Sequence, residues 1–141
     1  MESSEARRVL IVANRTAATP TLLDEVKALA REQPSSFMLL IPDSPSSEHA
    51  DWTLELALPL LERAAGAPVE GLTGGADDPY AAVSDAVSEH RPHLIVISTL
   101  PKRVSKWLRR DLPHRVEALG VPVRVITPES GRVTTGAMGI G

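Results

Sequence analysis

The sequence predicts an α/β protein of the doubly wound kind, a five-stranded parallel sheet between two layers of helices in a three-layer arrangement. Two observations carry this reading. Five short runs rich in Val, Ile and Leu recur along the chain, and an apolar run too short for a core helix is a strand buried on both faces. Between the runs lie segments long enough for a helix, most with apolar residues at helical spacing. Strand and helix in strict alternation lead to a parallel sheet covered on both sides, because crossovers are right-handed.

The first strand is the run Val9 to Ala13, ending in Asn14, Arg15 and Thr16. Thr19 and Pro20 then supply an N-cap and a first-turn proline for a helix from about Pro20 to Glu32, with Leu22, Leu23, Val26, Leu29 and Ala30 as its apolar positions. Phe37 to Ile41 make the second strand. From Asp51 the residues Leu54, Leu58, Leu61 and Ala65 describe a helical face closed by Gly66 as a left-handed C-cap, and Pro59 inside it predicts a kink or a break. Val69 to Thr73 is a short third strand interrupted by Gly71. Asp78 and Pro79 open a helix with Tyr80, Val83 and Val87 on one side, and Leu94 to Ile97 form the fourth strand. A helix between Val104 and Leu119 follows, striped by Val104, Leu108, Leu112 and Val116 and closed by Gly120. Val121, Val123 and Val125, alternating with Pro122 and Arg124, give a half-covered last strand that belongs at an edge or an interface.

Composition narrows the function classes. With 141 residues, 43% of them hydrophobic, the chain suits one domain, expected over residues 8–128 between a flexible N-terminus (1–7) and a flexible tail (129–141) holding four of the nine glycines. It has no cysteine, which removes disulfides, thiol chemistry and cysteine-based zinc sites. Charge in MESSEARR stands where a signal peptide needs an apolar core, and no stretch approaches the ~18 apolar residues of a membrane span, so a cytoplasmic protein without membrane attachment is expected. Aromatic residues at 3% argue against a stacking platform for single-stranded nucleic acid. The net charge is −3, yet between Pro101 and Val116 six cations against Asp111 leave +5, and so −8 over the rest. That balance argues against a general nucleic-acid binder while leaving one anion-attracting segment.

In such sheets ligands sit beyond the carboxyl ends of the strands, where the strand order reverses. The candidate ligand residues are therefore Asn14, Arg15 and Thr16 after the first strand, and Ser98, Thr99 and Arg103 after the fourth. Two hydroxyls with Lys102 and Arg103 are what an anion site needs, and Arg15 with Arg103 would clamp a phosphate or carboxylate if both point inward. The plain alternative is a polar connection into a solvated basic helix. His49, His90, His93 and His114 show no ligand spacing, Asp77 and Asp78 read as helix caps, and Gly74–Gly75 matches neither the dinucleotide fingerprint nor the P-loop. No Ser, His and acid set can be ordered, so no metal, no cofactor and no enzymatic activity are expected.

The order and length of the elements, and above all LIVIST followed by a helix and then GVPVRVI, resemble the universal stress protein family from Arg8 to Thr127. The resemblance implies an adenine nucleotide alpha hydrolase-like sheet of order 3-2-1-4-5 and a homodimer through the last strand, here Val121, Val123 and Val125. Its ATP-binding members carry an Asp closing the first strand and a motif of Gly, two residues, Gly, nine residues, and Gly followed by Ser or Thr. In this sequence those positions are Asn14, then Ser98, Pro101, Asp111 and Leu112. A glycine loop holds phosphate through closely approaching N–H groups. Pro101 removes such a donor, Asp111 brings a like charge, and Leu112 has no hydroxyl. The resemblance thus implies a stress-response binding or dimerising module that does not take ATP in the standard manner. The second reading is a small anionic ligand or nucleotide held by the polar residues of the crevice, and a slow phosphohydrolase is the third.

Overall fold

A computed structural model of the chain describes residues 6–13, 19–41, 47–73, 79–98 and 112–126. Five parallel strands, β1 (Arg7–Val12), β2 (Ser35–Ile41), β3 (Val69–Thr73), β4 (Leu94–Ser98) and β5 (Val123–Ile126), form one sheet of order β3-β2-β1-β4-β5. The described helices are α1 (Pro20–Glu32), α2 (Ser47–Ala65), α3 (Pro79–His90) and α4 (Leu112–Glu117).

Alternation of side chains along the central strands divides the core in two. Val9, Ile11, Leu39, Ile41 and Val96 meet Leu22, Val26 and Leu29 of α1 and Ala57 and Leu61 of α2. Leu10, Val12, Leu40, Ile95 and Ile97 meet Val83 and Ala86 of α3 and Leu112 and Val116 of α4. The continuous apolar runs are explained by this double covering, and burying each Leu or Ile contributes roughly 1.5–3 kcal/mol. Helices α1 and α2 lie on one face and α3 and α4 on the other, so the winding reverses between β1 and β4.

Local chemistry sets the boundaries. Thr19 takes the N-cap position of α1 by its extended backbone, without a side-chain capping bond, and Pro20 follows it. Helix α2 begins at Ser47, four residues before the expected Asp51, and of the kink or break expected at Pro59 the break does not occur, the helix continuing through it. Pro59 is exposed, so water can serve the carbonyl left without its usual donor. Gly66 (φ 74°) and Gly120 (φ 92°) hold the left-handed conformation expected of helix ends. The helix expected from Val104 to Leu119 is described only over Leu112–Glu117, with Pro113 tolerated in its first turn. Gly71 is where β3 lets α2 approach closely. A Cβ there would stand 3.0 Å from Leu54 Cδ2 and 3.1 Å from Leu58 Cδ1.

The last strand is shorter than the alternation suggested. Val121 precedes β5, and both Val121 and Val123 pack partly buried against the α3–α4 half of the core. Arg124, on the opposite face, ion-pairs with Glu25 of α1.

Candidate functional site

The carboxyl ends of β1 and β4 meet where the winding reverses. Val12 is aligned with Ile97, so Ala13 and Ser98 are the next residues on the two strands. Ala13 is fully buried and donates its N–H to the Leu40 carbonyl at 3.2 Å, while Ser98 is 1% exposed and aligned with Ile126 of β5. Ser98 is the one expected ligand residue among those described, and it is the last residue of β4. Asn14, Arg15, Thr16, Thr99 and Arg103 lie outside the described residues.

Tyr80 and Arg115 join the two helices on one face of the sheet, α3 and α4. Tyr80 lies in the first turn of α3, and the Arg115 guanidinium carbon of α4 sits 4.5 Å from its ring centroid. A cation over an aromatic face is held by the ring quadrupole. One cation of the basic segment is thus stacked on α3, and Leu112, its neighbour on α4, is 2% exposed inside the core. Leu112 is therefore committed to packing in the α3–α4 half of the core.

The amino end of the sheet is polar and internally bonded. The Arg7 guanidinium donates to the Leu29 carbonyl at 3.1 Å and to Glu32 Oε1 at 3.4 Å, and Arg8 Nε donates to the carbonyls of His90 and Arg91 at 3.0 Å each. His93 Nδ1 accepts the Arg8 backbone N–H at 2.9 Å, and its own backbone N–H donates to the Arg8 carbonyl at 2.7 Å. The shallow cavity there, about 230 Å³ and lined by Ala6, Arg7, Gln33 and His93, lies away from the reversal of the winding. His93 is a clasp between β1 and β4. Among the described residues no group of His, Asp and Glu is placed to hold a metal ion, and no helix is long and apolar enough to cross a membrane.

Sequence reasoning missed the pair Glu25–Arg124. The signal was present, because Glu25 falls on the stripe of Leu22, Val26 and Leu29, and an acid on a core-facing stripe needs a partner.

No protein-family model and no curated protein matches the sequence. The fold is similar to that of a universal stress protein solved in complex with cAMP, at 13% identity and a TM-score of 0.65 over 87% of this chain and 98% of that one. It is also similar to a hypothetical protein (15%, TM-score 0.58, 86% of this chain and 96% of that one). A third similar structure is a lipopolysaccharide core biosynthesis protein from Thermoplasma volcanium (12%, 0.50, 93% of this chain and 98% of that one). These likenesses show the fold, the five-stranded parallel sheet of a universal-stress-protein-like domain.

Proposed function

We propose that the chain is a universal-stress-protein-like binding module of the stress response, non-enzymatic, that associates with itself through β5 and does not take ATP in the manner of the family's glycine loop. The observation that carries the second half is Leu112. A residue buried in the α3–α4 half of the core offers no hydroxyl to phosphate and cannot turn outward without opening a cavity. What supports self-association is the place of β5 at the end of the strand order. A strand edge with unanswered N–H and C=O groups is a template for another strand.

A second reading is favoured by Ser98, a buried hydroxyl at the reversal of the winding. On this reading Asn14, Arg15, Thr16, Thr99 and Arg103, which follow β1 and β4 in the sequence, would supply the anion ligands, and a mononucleotide is the natural class, since one similar structure carries cAMP.

Titration calorimetry of the purified protein with ATP, AMP, cAMP and inorganic phosphate separates the readings. The expected result is no ATP binding at a dissociation constant below about 1 mM, where binding energy falls to about −4 kcal/mol. A micromolar ATP constant, or ATP carried through purification, overturns it. Saturable binding of AMP, cAMP or phosphate alone selects the second reading, and phosphate release from ATP would select the hydrolase.

A further inference from the structure

We propose that Glu25 is a determinant of self-association, neutralising Arg124 so that the β5 edge can pair with the same edge of a second copy. The inference rests on the self-association read above and supplies its chemistry.

The direction of the backbone groups decides what faces the second copy. The Ile95 N–H donates to the Pro122 carbonyl at 2.9 Å, and Ile95 is aligned with Val123. In a parallel ladder this phase turns the backbone groups of Arg124 and Ile126 toward β4 and those of Val123 and Val125 outward. Two identical strands pairing antiparallel are related by a two-fold axis perpendicular to the sheet, and residues directly opposite share a face. The register that uses both outward residues of both strands sets Val123 opposite Val125 at either end. Arg124 then stands opposite its own copy, in the close, non-hydrogen-bonded kind of pair with Cα atoms about 4.5 Å apart.

Like charges directly opposite one another oppose pairing. Arg124 does not arrive bare, however. Its guanidinium is ion-paired to Glu25, whose side chain is 8% exposed where that of Arg124 is 34% exposed. A buried carboxylate is a poor device for stability alone, because apolar residues of similar size often do as well. It is a good device for a self-complementary edge. The two-fold brings two ion pairs together on one face, so each cation meets its own carboxylate before it meets its copy. Charge complementarity thus points to a second copy of this chain as the occupant.

Sedimentation at tens of micromolar in low salt tests the proposal, with circular dichroism as the control for folding. The wild-type protein is expected to be a dimer whose affinity changes little with salt. Glu25→Gln leaves Arg124 uncompensated and should weaken association by about tenfold or more, recovering as salt rises toward about 0.5 M. Arg124→Gln leaves Glu25 uncompensated and weakens it in turn. An equimolar mixture of the two variants should form mixed dimers at low salt, since each supplies the charge the other lacks. The exchange variant, Glu25→Arg with Arg124→Glu, keeps the edge neutral and should dimerise. A Glu25→Gln protein that dimerises as tightly as wild type, a folded exchange variant that stays monomeric, or a wild-type dimer that tightens tenfold with salt overturns the role of Glu25 and leaves self-association standing. A monomeric wild type overturns self-association itself, and this inference with it.

Discussion

At the β3 edge the first amide of the strand is answered from within the chain, Val69 N–H donating to Glu62 Oε2 at 3.0 Å, and Glu70 on the same strand is exposed. At the β5 edge Val123 and Val125 turn their backbone groups outward, and the nearest charge, Arg124, is already paired with Glu25. Sheets blunt an edge with charged side chains, covering elements and early termination. By those criteria β3 is blunted by an exposed charge and an answered amide, and β5, only four residues long, by early termination; the self-association proposed above would use the outward groups of Val123 and Val125. The contrast extends inward, for β3 is drawn under α2 through Gly71, whereas β5 is tied to α1 by the Glu25–Arg124 contact.

The largest effect expected at either edge is that of Gly71→Val. Its Cβ alone would stand 3.0 and 3.1 Å from methyl groups of Leu54 and Leu58, and two further methyls have nowhere to go without moving α2. Overpacking of this kind costs about 2 kcal/mol, read as a lower denaturant midpoint with association unchanged. A midpoint within error of wild type would show that α2 does not need the bare backbone.

A smaller loss follows from Glu62→Ala. It leaves the Val69 amide without its acceptor at 3.0 Å, at a cost of about 1 kcal/mol because water can reach a part-buried group. Glu62→Gln keeps an acceptor oxygen and should recover most of it. Equal losses from both variants in chemical denaturation would mean that the carboxylate charge, not the hydrogen bond, matters at this edge.

Much of the fold was legible in the residues. Runs such as Val9 to Ala13 and Leu94 to Ile97 could only be strands covered on both faces, and Pro20, Gly66 and Gly120 mark helix ends because proline fits a first turn and glycine accepts positive φ. What escaped depends on neighbours distant in the chain. Gly71 looked like an interruption until Leu54 and Leu58 of α2 came over it. Glu25 and Arg124 lie 99 residues apart, and no local pattern joins them. Val121 and Val123 were assigned to an edge by alternation, yet their side chains pack toward α3 and α4, because it is the backbone that an edge offers and the side chains go to the core. Of the six residues expected at the candidate site, Ser98 is described, as the buried last residue of β4, and the other five lie outside those described.

The gentlest intervention reads the register of the β5 edge without disturbing the fold. The chain has no cysteine, so any disulfide must come from an introduced one. If Arg124 faces its own copy, Arg124→Cys brings two thiols together across the two-fold with Cα atoms about 4.5 Å apart, within the range a disulfide spans. Mild oxidation in about 0.5 M salt, which screens the two remaining Glu25 carboxylates, should then give a covalent dimer on a non-reducing gel. In the same register Val125 faces Val123 of the second copy, and two Val125→Cys residues stand beyond the roughly 7 Å that a disulfide can bridge. Val125→Cys should therefore remain uncrosslinked under identical oxidation. The reverse pattern would move the two-fold to Val125, set Arg124 opposite Ile126, and remove the need for Glu25 as the charge that makes the edge self-complementary.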